Sequence, residues 1–151
     1  MPDVVDQLTR SRMMSGIRAV NTQPELAIRK GLHAKGFRFR LHAKDIPGKP
    51  DLVLPRYRAA IFVHGCFWHG HDCHLFKMPS TRTEFWSEKI GRNRARDAIV
   101  EGQLDETGWR RLVIWECAIK GRTRLDFDEL IEHAAAWLRG SAVTGEIAGS
   151  V

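Results

Sequence analysis

The sequence predicts a single α/β domain, and three observations carry that prediction. Segments with a helical apolar period alternate along the chain with short β-rich runs. The 151 residues suffice for one core but not for two. With 43% apolar and 28% charged residues the composition is globular, and no repeat, low-complexity tract or Gly/Ser linker divides it. The expected order is α-β-β-β-α-β-α.

Residues 1–20 are polar and basic, with Met13, Met14 and Ile17 close together, and read as an N-terminal arm. At Thr22-Gln-Pro-Glu25 a helix starts: Thr22 can cap it, Pro24 falls in the first turn, and Glu25 stands where a capping box needs it. Gly36 closes it. Phe37, Phe39 and Leu41 alternate with Arg38, Arg40 and His42, the pattern of a half-buried strand. A turn follows at Asp45-Ile-Pro-Gly48. Asp51-Leu-Val-Leu54 and Ala59-Ala-Ile-Phe-Val63 are short apolar runs, hence buried strands.

Residues 64–80 form an irregular loop. A long helix is expected from Thr81 to Thr107, closed by Gly108, then a strand over Trp109 to Trp115 and a last helix over Asp126 to Leu138. Residues 141–151 read as a flexible tail, leaving 21–140 as the folded domain. On the long helix Trp86, Ile90, Asn93, Asp97, Val100 and Leu104 share one face. Asp97 therefore points inward to a donor, or the helix is half exposed and Asp97 meets water.

No apolar stretch approaches the ~20 residues of a membrane span, and Met1 to Arg10 lacks a signal peptide's apolar core. Three Cys cannot all pair, so a secreted disulfide framework is excluded and a cytoplasmic protein with reduced thiols is expected. The net charge is +6. Residues 1–50 hold ten Lys/Arg against four Asp/Glu, and residues 76–100 six against three. Clustered cations suit a polyanion, the alternative being a solvated basic face.

Four of the seven His and two of the three Cys fall between His64 and His74. Cys66, Cys73 and Cys117 offer three thiolates for a tetrahedral Zn²⁺ site. His71 is the preferred fourth ligand, two residues from Cys73 and on its face if extended; His69 and His74 compete. The alternative is three free Cys acting as small apolar residues. Asp51, His64 and His69 can line one pocket suited to phosphodiester hydrolysis, with a carboxylate for Mg²⁺ and a His to take a proton from water. Otherwise Asp51 is a turn residue and His64 a structural one. Phe67-Trp68 and Phe85-Trp86 are core, or stacking and wedging groups for nucleic acid.

These residues resemble the very short patch repair (Vsr-type) DNA mismatch endonucleases. The similarity runs from about Thr9 to Leu138 and includes Pro47-Gly-Lys-Pro-Asp51, Gly65-Cys-Phe-Trp-His69, Thr81-Arg-Thr-Glu-Phe-Trp86 and Trp115-Glu-Cys117. The resemblance implies a restriction-endonuclease-like αβββαβ core with a mixed central sheet. It implies Mg²⁺-dependent nicking of one strand of duplex DNA 5′ to the thymine of a T·G mismatch left by 5-methylcytosine deamination. Asp51 and the Val63 carbonyl would hold Mg²⁺. His69 would be the base, with His64 beside it and Asp97 orienting it. Glu25 would serve the metal side, its alternative being the capping box. Cys66, His71, Cys73 and Cys117 would hold structural zinc. Phe67, Trp68 and Trp86 would wedge into the duplex, with Met14 and Ile17 of the arm on the minor-groove side.

A monomer is expected, with downstream repair proteins as further partners. Phe62-Val63-His64 stands where the wider superfamily carries acidic-x-Lys, and Val63 where a hydroxyl residue is expected. Two other readings compete: a zinc-stabilised DNA-binding module without activity, and a nuclease of the same fold without T·G specificity.

Overall fold

The structure, a computed structural model, describes residues 22–150; the N-terminal arm with Met14 and Ile17 lies outside them. Helix α1 spans Gln23–Ala34, and the Thr22 hydroxyl caps it by accepting from the Glu25 N–H at 3.3 Å. Strands β1 (Arg40–Leu41), β2 (Leu52–Leu54) and β3 (Ala59–His64) follow. Then come α2 (Thr83–Glu106), β4 (Arg110–Trp115), α3 (Phe127–Arg139) and β5 (Thr144–Ile147).

The five strands form one mixed sheet in the order β1-β2-β3-β4-β5. The first two pairings are antiparallel and the last two parallel. Alternate residues of β3 serve opposite faces. Ala59 and Ile61 join α1 and α3 in a core with Ile28, Leu32, Leu130 and Leu138, while Ala60 and Phe62 face Leu104 of α2. Helices on both faces explain why β2 and β3 read as continuous apolar runs.

Two segments depart from the sequence reading. The strand expected over 37–42 shrinks to Arg40–Leu41. Its partner β2 offers only three residues, and His42 turns away at φ 46°. The tail expected to be flexible from residue 141 instead contains β5, paired parallel to β4 from Arg111↔Thr144 to Ile114↔Ile147. The open edge of β4 recruits it. Gly145 admits the Trp137 indole, where a Cβ would lie 2.5 Å from Nε1, and that Nε1 donates to the Thr144 carbonyl at 3.0 Å. Thr144-Gly-Glu-Ile147 carries no apolar alternation that would have announced a strand. Among the described residues no helix is long and apolar enough to cross a membrane.

Candidate active site and metal centre

The C-terminal end of β3 and the loop after it build a cleft of about 790 Å³ against α2, and Asp51, Val63, His64, Phe67, Trp68, His69 and Asp97 all line it. Asp51 immediately precedes β2, and antiparallel pairing of β2 with β3 brings it beside Val63, whose N–H donates to its Oδ2 at 2.7 Å. Burial, and secondarily the neighbouring Glu25, push the Asp51 carboxyl up to about 7, against the Val63 hydrogen bond. A buried carboxylate that resists ionisation in this way is suited to a cation.

Glu25 is 1% exposed. Its carboxylate lies 2.8 Å from His42 Nε2 and pairs with Arg29 one helical turn on. The α1 cap thus uses the Glu25 backbone, while its side chain turns inward towards Asp51. The ligand atoms of Glu25, His42 and Asp51 lie within 4.8 Å of one another.

His64 ends β3, and His69 lies in the loop beyond. Their rings stack with centroids 3.7 Å apart. Asp97 Oδ2 lies 2.6 Å from His69 Nδ1. A carboxylate there fixes Nδ1 as the donor and leaves Nε2 to accept. Burial, then the adjacent His69, hold the His64 imidazole down to about 3, so it is neutral. The inward stripe of α2 is real: Ile90 and Leu104 are buried, and Asn93 donates to the Trp68 carbonyl at 2.8 Å.

Behind the cleft, ligand atoms of Cys66, His71, Cys73 and Cys117 lie within 4.8 Å of one another. His71 Nδ1 is 3.6 Å from Cys117 Sγ. Backbone N–H groups already point at the sulfurs, Cys117 N–H at Cys66 Sγ and Gly149 N–H at Cys117 Sγ, each 3.3 Å away. Burial pushes both the Cys66 and the Cys117 thiols up, which a divalent ion would reverse. Three sulfurs and one imidazole are the donor set of a closed zinc site. His69 faces Asp97 instead, and His74 lies 3.4 Å from the Thr123 hydroxyl.

Phe67, Trp68 and Trp86 form one cluster: Phe67 meets Trp68 edge-on at 5.0 Å and Trp86 at 5.5 Å. All three remain half-buried. The pair that ordinary core packing would separate is therefore held as a single partly open patch beside the cleft.

A family model described as DNA mismatch endonuclease Vsr matches residues 2–75. The DNA mismatch endonuclease Vsr of Escherichia coli K12 is 46% identical over 147 residues, covering 97% of this chain and 94% of that protein. The chain belongs to the Vsr family. It is an endodeoxyribonuclease of DNA repair. The type II nicking enzymes V.XorIIP of Xanthomonas oryzae and V.NmeAIP of Neisseria meningitidis are 49% and 42% identical, covering 79% and 81% of the chain and 88% and 87% of their own lengths.

In this Vsr-family fold Asp51, Val63, His64, Phe67, Trp68, His69 and Asp97 line one cleft, Glu25 lies behind Asp51, Trp86 packs on Phe67 and Trp68, and Cys66, His71, Cys73 and Cys117 form a separate cluster. Sequence reasoning missed three others. His42 holds Glu25, with no local signal beyond a basic residue in a strand pattern. The Trp115 indole stacks on His71 at 4.0 Å and meets His64 edge-on at 5.3 Å; it was legible as a motif residue without a role. Glu116 accepts from the Cys66 N–H at 3.2 Å and pairs with Lys120, bracing the cysteine loop.

Proposed function

We propose that this Vsr-family endonuclease uses Mg²⁺ to nick one strand of duplex DNA 5′ to the thymine of a T·G mismatch, acting as a monomer and opening very short patch repair. The observation that carries the reading is the convergence in one cleft of a half-buried Asp51, the His64–His69 pair with Asp97, and the Phe67–Trp68 patch.

Asp51 and the Val63 carbonyl would hold the ion, which when bound supplies charge stabilisation at the scissile phosphate. His69, oriented through Nδ1 by Asp97, takes the proton of the attacking water at Nε2. His64 stays neutral and keeps the His69 ring in place. Glu25, held by His42 and Arg29, supports the metal side from behind Asp51.

Cys66, His71, Cys73 and Cys117 would hold zinc, whose binding free energy goes into folding the loop that presents His69. The aromatic patch would enter the stack beside the mismatch. Opening a base step costs a few kcal/mol, and less at a mismatched step. Wedges therefore favour T·G before any base edge is read.

The test is strand nicking of paired T·G and T·A duplexes of otherwise equal sequence, with Mg²⁺, by the wild type and Asp51→Ala. Nicking of T·G alone, lost in the variant, supports the proposal. Equal cutting of both leaves a nuclease without mismatch specificity, and binding without cleavage leaves a DNA-binding module.

A further inference from the structure

Helix α2 carries its charge unevenly. Arg82 at its N-cap, then Lys89, Arg92 and Arg96, follow at intervals of seven, three and four residues, which keeps them on one ridge. At 100° per residue this ridge lies roughly 80° around the helix from the inward stripe. The far half of α2 reverses sign, with Glu101, Asp105 and Glu106. Arg94, the remaining cation of the basic half, lies on the opposite flank, where its stem packs at Gly70.

Among the described residues none of the four ridge cations has a carboxylate within ion-pair distance. Arg82, Arg92 and Arg96 are exposed and Lys89 half-buried. One end of the ridge joins the aromatic patch, where the Arg82 guanidinium sits 4.1 Å above the Phe85 ring. The other end reaches the catalytic cleft, which Arg96 lines. From Arg82 to Arg96 is about 21 Å along the axis. A row of unpaired cations this long complements an extended polyanion, not a compact anion.

We propose that this ridge is the track for the phosphates of one DNA strand, setting the register of the duplex between the aromatic patch and the cleft. The inference rests on the duplex substrate proposed above and adds which residues hold its backbone. Phosphate contacts position the duplex and carry no base information, so the ridge governs affinity and register but not the choice of T·G over T·A.

Binding of a fluorescein-labelled 20-base-pair T·G duplex and its T·A twin is measured by anisotropy across a salt series, with no Mg²⁺ added so that no cutting intervenes. The proteins are the full-length wild type, a fourfold variant (Arg82→Gln, Lys89→Gln, Arg92→Gln, Arg96→Gln), Arg92→Gln alone, and Arg94→Gln. Each lost phosphate contact should flatten the slope of log K against log salt by about 0.9, giving a flattening of about 0.9 for Arg92→Gln and three to four times that for the fourfold variant. The T·G to T·A affinity ratio should stay at its wild-type value, and Arg94→Gln should keep the wild-type slope.

An unchanged slope in Arg92→Gln, or an equal flattening in Arg94→Gln, overturns the track; Arg92→Gln decides the matter if the fourfold variant fails to fold. A wild type that binds neither duplex would instead sink the duplex reading itself.

Discussion

The His64 and His69 rings lie face to face, their centroids 3.7 Å apart and their planes 6° from parallel. Two cationic imidazoles at that distance repel strongly, so the pair divides its labour. His64, shielded by Phe62 and Trp115 at 5.6 and 5.3 Å, is the neutral plate. His69 carries the carboxylate partner, Asp97, 2.6 Å from its Nδ1, and is the ring proposed above as the base.

Replacing His69 by Ala should lower the nicking rate on a T·G duplex by about 10²–10⁴-fold, the usual contribution of a general base, with duplex affinity retained. Asp97→Asn should lower it less, in the same direction, because the amide still fills the space but no longer selects the tautomer. Single-turnover nicking beside equilibrium binding checks both. A parallel loss of affinity would mean that the residues shape the loop and do not act on the water.

The depressed His64 pKa makes the metal-free protein acid-sensitive. The unfolded chain takes a proton near 6.5, while the folded chain refuses it down to about 3. The stability due to neutral His64 is full above 6.5 and is lost as pH falls towards 3, on the order of a few kcal/mol across that window. Asp51, raised to about 7, runs the other way, since its contribution is present below about 4 and lost as pH rises through 7. Denaturation midpoints at pH 7 and pH 4.5 should therefore fall less on acidification in His64→Gln than in the wild type. An equal fall would contradict the neutral His64 ring.

The cysteine cluster should hold about one zinc per chain, by elemental analysis of folded protein. Cys73→Ser should abolish that content and lower the melting temperature, and stripping with a strong chelator should do the same to the wild type. Folded, zinc-free wild-type protein with an unchanged melting curve would leave three free thiols in the core.

Trp68→Ala removes the middle of the aromatic patch. It should reduce the preference for T·G over T·A more than it reduces binding to matched duplex, because the wedge acts on the weakened step. Competition binding with the two duplexes reads this ratio. An equal loss on both, with a lowered melting temperature, would identify Trp68 as core.

Truncation after Gly140 removes β5. It should destabilise the protein by several kcal/mol: it exposes the edge of β4, unseats Trp137 and removes the Gly149 N–H from Cys117 Sγ. Chemical denaturation of the shortened chain checks this, and an unchanged midpoint would restore the flexible-tail reading.

Local chemistry made much of the fold legible. Thr22 and Asp126 are both caps, each accepting from the N–H three residues on. The stripe on α2 left Asp97 facing either a donor or water, and the contact is His69 Nδ1. What stayed illegible joins distant segments. β5 forms because β4 has an open edge, not because its own residues demand a strand. His42 reaches Glu25 across seventeen positions, and Trp115 meets His71 and His64 from another strand.

The sequence by itself determined the family and the chemical inventory. The run from Gly65 to His69, joined to the run from Thr81 to Trp86, resembles one kind of nuclease, and three Cys with a crowd of His supply a metal donor set. The tertiary structure decided which donors converge: His71 stands with the thiols, while His69 faces Asp97 and His74 the Thr123 hydroxyl. The reason is geometric. Spacing along a chain fixes neighbours only within a helix turn or a strand pleat. Cys117 meets Cys66, and Asp51 meets Val63, only because β3 pairs on one side with β4 and on the other with β2.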